Sequence, residues 1–337
     1  MTTTLAVRLD SAGDVLVTGP ALRALAHGSD RLVLAAGPRG AGGAPLLPGV
    51  DQVVPWRAGW IDPEPLTIAP ADIHQIVSTI AAVRADQAVI FTSFHQSPLP
   101  TALVLRLAGI PQIAAISEDY PGTLLDVRHR TTDDQPEPER ALGLARAAGF
   151  DLAPDDDGRL AVNAGVAPGR LPPRYVVLHP GTSVPARAWS SDRWVQAREA
   201  LVEAGRTVVV TGDRHEQRLT AEVAGRHAID WGGRTAWGQL AAVMQGADAV
   251  VVANTGPAHL AAAVGTPVVS LFAPTVPAIR WAPYGVPTVL LGDQHAACAD
   301  TRATRCPVPG HPCLDSVTAA DVVSAVQRLA PAVRGVA

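Results

Sequence analysis

The 337-residue chain contains no lysine, and all 27 of its basic residues are arginine. Without Lys there is no Schiff-base nucleophile, no internal aldimine for pyridoxal phosphate and no P-loop lysine. Anion binding survives the loss, because the guanidinium group is always charged and offers phosphate oxygens a planar fork. Cysteine is scarce as well. Cys298, Cys306 and Cys313 form an odd set confined to one C-terminal stretch, unlike the disulfide framework of a secreted protein. Long apolar runs are missing: those over 249–253 and 267–273 are short and bounded by polar, Gly or Pro residues, far below the ~18 residues of a membrane span. The N-terminus shows no basic-then-apolar leader. A net charge of −4 leaves no basic footprint for nucleic acid. The expectation is a soluble cytoplasmic protein with no nucleic-acid partner and no transmembrane segment.

What is present is an alternation of short apolar runs and helical patterns, the signature of α/β folds on parallel sheets. In the first half the pattern predicts strands over 4–9, 31–35, 88–92 and 112–116, and helices over 13–26, 70–84, 99–108 and 136–148. The segment 119–135 is polar and without periodicity. A Pro/Gly/Asp-rich stretch over 151–173 marks a boundary, and a second strand–helix series follows. Its strands fall over 175–179, 207–211, 249–253 and 267–272, and its helices over 192–204, 216–224, 239–245, 257–264 and 319–329. Length and pattern together predict two doubly wound domains, over 1–160 and 161–337, with a cleft between them and ligands beyond the carboxyl ends of the strands.

Three strand-to-helix loops carry candidate chemistry. The first, Arg8-Leu9-Asp10-Ser11-Ala12-Gly13-Asp14-Val15, sets a carboxylate at a helix mouth. Asp14 there suits an acid or base, and it equally suits a residue that complements the helix dipole. The second, His179 to Trp189, places Gly181, Thr182, Ser183 and Arg187 before a helix, where backbone N–H groups favour anions. The third, Asn254-Thr255-Gly256-Pro257-Ala258-His259, does the same again, with His259 either facing a ligand or packed inside.

Together with Gly265-Thr266-Pro267 and the closing Cys-Pro and His-Pro-Cys-Leu of residues 306–314, these loops resemble glycosyltransferase family 9, the heptosyltransferase family. The resemblance implies a GT-B fold, two facing Rossmann-like domains, the N-terminal one for the acceptor and the C-terminal one for the donor. It further implies inverting, metal-independent transfer of a sugar, usually a heptose, from a nucleoside diphosphate donor such as ADP-heptose, with no cofactor. The acceptor would be a glycan, a lipid-linked saccharide or a small molecule. On this resemblance Asp14 is the general base, and Arg187, Thr182, Ser183, Thr255 and Gly256 meet the donor diphosphate. Asn254 and His259 meet the donor sugar, with Asn254 standing where several heptosyltransferases have Asp. Glu216 holds the ribose hydroxyls, and Leu240 and Met244 lie near the adenine or simply fill a helix core. Acceptor contacts are expected from the first half, at His95, Arg128 and Arg130. A nucleotide-sugar epimerase and a catalytically silent sugar-nucleotide-binding protein are the alternatives. Asp155, Asp156 and Asp157 read as a solvated charge run rather than a metal motif. The three Cys, with His311 nearby in sequence, read as reduced thiols rather than a zinc site, because no tight Cys-x-x-Cys pair is present.

Overall fold

The computed structural model describes residues 1–62, 67–131 and 134–331. The chain divides into two compact units, Met1–Asn163 and Ala164 onward. In the first, the elements are β1 (Thr3–Arg8), α1 (Ala12–Val17), α2 (Gly19–His27), β2 (Arg31–Ala36), β3 (Gln52–Pro55), α3 (Pro70–Val83), β4 (Gln87–Ile90), α4 (Leu99–Leu107), β5 (Gln112–Ile116), β6 (Val127–His129) and α5 (Glu137–Ala147). The six strands pair in the order β3-β2-β1-β4-β5-β6, and every pairing is parallel. β1 is buried along its whole length, as the central strand of a sheet covered on both faces must be. Its Leu5 lies between Val33 of β2 and Ala88 of β4. Strand order reverses between β1 and β4, so the loops after these two strands flank the switch point of the sheet.

The single helix expected over 13–26 is two. Pro20 has no N–H to continue the first ladder, and the Thr18 hydroxyl donates to the Asp14 carbonyl where α1 stops. The expected structureless segment 119–135 contains the edge strand β6, while Thr132 and Asp133 lie outside the described residues. The Asp155–Asp157 run is only partly a solvated charge run. Arg23 on α2 grips Asp156 with two nitrogens, at 2.6 and 2.8 Å, and also donates to the Arg159 carbonyl. Asn163 N–H donates to the Leu46 carbonyl, so the connecting stretch is fastened to the first unit up to residue 163.

The second unit repeats the topology. Its elements are β7 (Val176–His179), α6 (Ser191–Glu203), β8 (Val208–Val210), α7 (Gln217–Ala224), β9 (Ile229–Asp230), α8 (Trp237–Gln245), β10 (Ala249–Ala253), α9 (Gly256–Ala263), β11 (Val268–Leu271), α10 (Ala278–Trp281), β12 (Thr288–Leu291), α11 (Pro312–Asp315) and α12 (Ala319–Leu329). All strands are parallel, in the order β12-β11-β10-β7-β8-β9. The switch point therefore lies between β7 and β10, and it is flanked by the loops that carry Arg187 and Asn254. The core centres on fully buried Trp194, which meets Trp189 edge to face at 5.3 Å. Among the described residues no helix is long and apolar enough to cross a membrane.

Candidate active site

In the first unit, β1 ends on Arg8, whose side chain is 1% exposed. A charged group so deeply buried needs partners. It has three carboxylates: Nε lies 3.0 Å from Asp10, Nη2 3.0 Å from Asp14 and Nη1 3.9 Å from Glu137 at the start of α5. Arg140, one turn into α5, lies 3.6 Å from Glu137 and donates to the Thr92 carbonyl. Burial works against the Arg8 charge, but the three carboxylates outweigh it and hold the guanidinium ionised.

The two oxygens of Asp14 face different partners. Oδ2 accepts from the backbone N–H and the hydroxyl of Ser11, at 3.0 and 2.5 Å, which caps α1. Oδ1 faces Arg8 and the Ser93 hydroxyl, the latter at 3.3 Å. Burial pushes the Asp14 carboxyl up, yet the Arg8 charge and the Ser11 and Arg8 hydrogen bonds together hold it below the usual carboxylate range. It is an ionised acceptor at neutral pH. Asp10 behaves differently. Burial, with the Asp14 charge adding to it and Arg8 opposing, pushes the Asp10 carboxyl up to about 6, and Gln96 donates to its Oδ1.

The other first-unit candidates are dispersed. His95 shares the loop after β4 with Ser93 and Gln96 but is exposed, its ring set edge-on to Phe94 at 5.6 Å. Arg128 donates to the Ser117 and Glu118 carbonyls and thereby ties β6 to the end of β5, while Arg130 is exposed. Sequence reasoning passed over Arg8, Asp10 and Glu137. The available signal was a charged last residue on an otherwise uncharged buried strand.

In the second unit, Arg187 ends a short 3₁₀ turn (Pro185–Arg187) and donates from Nη1 to the Asn254 carbonyl at 3.1 Å, which joins the two switch-point loops. The turn is braced from behind: Ala186 N–H donates to the Thr304 carbonyl, and His311 Nε2 meets the Ala186 carbonyl at 3.0 Å. Thr182 Oγ1 accepts from Val184 N–H, and Ser183 is exposed. Thr255 takes an extended conformation at the N-cap of α9, with Gly256 and Pro257 opening the helix and buried His259 one turn in. The Asn254 side chain is committed elsewhere. Its Nδ2 donates to the Ala273 carbonyl at 3.0 Å, and its Oδ1 accepts from Ala273 N–H at 3.2 Å. That pairing requires an amide, because a carboxylate would set an oxygen against the carbonyl.

Glu216 sits in a recess made by glycine. A Cβ on Gly181 would fall 1.9 Å from its Oε1, and one on Gly212 would fall 3.1 Å from its Oε2. Asp213 N–H donates to Oε2 at 2.8 Å, and the Asp213 carboxylate accepts from Glu216 N–H in return. Burial, with the Asp213 charge adding to it, raises the Glu216 carboxyl. His179, the last residue of β7, lies 4.0 Å from Glu216 and hydrogen-bonds Thr211 Oγ1 at 3.0 Å. Burial pushes the His179 imidazole down to about 4, so it is neutral and forms no ion pair with Glu216. Leu240 is 7% exposed and Met244 is fully enclosed, its carbonyl accepting from Thr266, which is the helix-core placement for both. Cys298 and Cys313 are buried in the core of this unit and Cys306 is partly exposed, all three as thiols. Among the described residues no group of three or more His, Cys, Asp or Glu is arranged to hold a metal ion.

A similar arrangement of loops and strands occurs in known proteins. The glycosyltransferase family 9 (heptosyltransferase) model matches residues 83–311, a stretch that includes Arg187, Glu216, Asn254 and His259 and leaves Asp14 outside. Lipopolysaccharide heptosyltransferase 1 of Pseudomonas aeruginosa is 36% identical over 125 residues, which is 36% of this chain and 34% of that relative. The chain thus aligns with about a third of that curated relative's length. Among solved structures, a family 9 glycosyl transferase from Veillonella parvula superposes with a TM-score of 0.76 at 14% identity, covering 97% of each chain. The E. coli heptosyltransferase WaaC with ADP-2-deoxy-2-fluoro heptose gives 0.69 at 22% identity, covering 97% of this chain and 99% of that one. Both likenesses identify the fold as GT-B, and by the family match the chain belongs to glycosyltransferase family 9.

Proposed function

We propose that this protein is an inverting glycosyltransferase that transfers a sugar of the heptose class from an ADP-heptose-like donor to an acceptor hydroxyl, in the cytoplasm. The first unit binds the acceptor and the second the donor. The carrying observation is Asp14, an ionised carboxylate at the switch point of the first sheet, with one oxygen fixed by Ser11 and the other turned to Arg8 and Ser93. Asp14 takes the acceptor proton as the oxygen attacks the anomeric carbon from the face opposite the diphosphate. A base in this role must lie within hydrogen-bond reach of that proton.

As the bond to the leaving diphosphate breaks, charge grows on its oxygens, and donors already in place stabilise it most. In this reading Arg187 supplies that cation, with Thr182, Ser183 and the first-turn amides at Thr255 and Gly256 beside it, so the transfer needs no metal. His259 meets the donor sugar. Glu216 takes the ribose hydroxyls, and Gly181 leaves them room. Asn254 acts through its carbonyl, which holds Arg187, rather than through its side chain. The WaaC complex with a heptose-nucleotide analogue supports the choice of donor.

The test is ADP-heptose supplied with and without candidate glycan, lipid-linked and small-molecule acceptors, with ADP release and product configuration read by NMR. Asp14→Asn is expected to keep ADP affinity and lose transfer. Full transfer by that variant removes the base assignment, and a rearranged sugar formed from donor alone replaces transfer with epimerisation.

A further inference from the structure

Three nitrogens of Arg8 face three different carboxylates, and only one of these belongs to the proposed base. An arginine alone beside Asp14 would drive that carboxyl down by about 1–3 pKa units, leaving a weak base. We propose that Asp10 is a positioning residue for Asp14: it holds the Nε side of Arg8 and supplies a second negative charge beside that cation, which keeps Asp14 able to accept a proton. This rests on the reading of Asp14 as the base.

The groups facing Asp10 are few. β1 contributes Arg8, α1 contributes Asp14, and the loop after β4 contributes Gln96, with Ser93 behind it against Asp14 and exposed His95 beside it. α5 contributes Glu137, which is shared with Arg140, and the loop after β2 packs Gly40 against the Asp10 carbonyl and carries exposed Arg39. When all are ionised, two cations, buried Arg8 and partly buried Arg140, face three carboxylates. The cluster then holds one negative charge in excess, and proton transfer to Asp14 relieves it. Once Asp10 is protonated the excess is gone and the proton gained by Asp14 is held less tightly. A base works best when its proton affinity approaches the working pH. Because Asp10 takes its proton at about pH 6, turnover should decline on acidification through that value, well above the titration of Asp14 itself.

The experiment follows the carboxyl carbons by ¹³C NMR in the whole protein labelled at aspartate, with pH as the variable. In the wild type the Asp14 signal should show a second inflection at the Asp10 midpoint, as coupled sites do. In Asp10→Asn the Asp14 midpoint should fall by about one pKa unit, and Asp10→Glu should restore it. In parallel, ADP release from ADP-heptose with water as acceptor should drop about three- to tenfold in Asp10→Asn, with KM for ADP-heptose unchanged and the limb near pH 6 lost. An Asp14 midpoint indifferent to Asp10 overturns the proposal, as does an unchanged acid limb in Asp10→Asn. If that variant fails to fold, the wild-type titration decides by itself, since a single Asp14 inflection overturns the coupling. Full activity of Asp14→Asn overturns the base reading and this proposal with it. Loss of activity in Asp14→Asn without coupling to Asp10 overturns only the latter.

Discussion

Gly181→Ala tests the proposed donor role of Glu216 apart from the fold. The added Cβ would lie 1.9 Å from Glu216 Oε1, 2.0 Å from Cδ and 2.2 Å from Oε2. Ordinary contact needs about 3.5 Å, so the carboxylate must leave its recess. Gly181 itself lies outside the left-handed region, so Ala fits its backbone and only the side-chain clash matters. Glu216 is a flexible side chain, 21% exposed, and can swing towards water at the cost of its bond from Asp213 N–H. Water replaces part of that bond, which limits the stability loss to about 1 kcal/mol. The effect on binding is larger. A carboxylate that holds ribose hydroxyls contributes charge-assisted hydrogen bonds of about 1.5–3 kcal/mol each, so ADP affinity should fall about 10- to 100-fold. Calorimetric titration of ADP at pH 8 measures this on four proteins: wild type, Gly181→Ala, Glu216→Ala and the double variant. In the double variant the Ala methyl meets no carboxylate, so its loss should equal that of Glu216→Ala. Wild-type affinity in Gly181→Ala, or additive losses in the double variant, would refute the reasoning.

Two further outcomes follow from the second unit. His179 is held neutral with its midpoint at about 4 against an ordinary 6.5, so below pH 6.5 the unfolded chain takes up a proton that the native state refuses. Stability is lost as pH falls from 6.5 towards 4, by about 3 kcal/mol. Urea midpoints followed by tryptophan fluorescence should show this acid sensitivity reduced in His179→Gln, and an identical pH dependence in the two proteins rejects it. Asn254→Asp replaces a buried donor to the Ala273 carbonyl with an oxygen. It should destabilise the protein by about 2–4 kcal/mol and weaken ADP binding through Arg187, whereas an unchanged melting temperature would show the pairing to be dispensable.

The parts of this architecture legible in the sequence are those that burial writes most strongly. Central strands such as Ala249–Ala253 are apolar at every position because helices cover both faces. The strands that escaped notice, β3, β6, β9 and β12, lie towards or at the sheet edges, run two to four residues and are incompletely buried. Short half-exposed strands leave no apolar run to read. The loops at both switch points were visible because Gly, Pro and hydroxyl residues punctuate them. Their internal wiring was not. Nothing in the local sequence tells that Asn254 pairs with Ala273 or that Glu137 reaches Arg8, since those contacts join residues 19 and 129 positions apart. Arg128 shows the converse, a basic residue in a polar segment whose guanidinium serves two nearby carbonyls.

The absence of lysine takes its full meaning from the ends of two strands. β1 and β7 occupy the same place in identical strand orders, and each ends on a basic side chain buried beneath a switch-point loop, Arg8 in one and His179 in the other. His179 yields to burial and becomes neutral, which suits a surface proposed to receive a nucleotide beside Glu216. Arg8 cannot yield, because a guanidinium keeps its proton even where a buried ammonium would lose it. Its charge is therefore a fixed quantity at the base of the first loop, and the protonation equilibria of the cluster fall entirely on the carboxylates around it. Asp14 and Asp10 part in opposite directions from that shared cation, one held ionised and the other drawn towards neutrality. Two carboxyls whose environments separate their proton affinities are what a site needs to move a single proton in a defined direction.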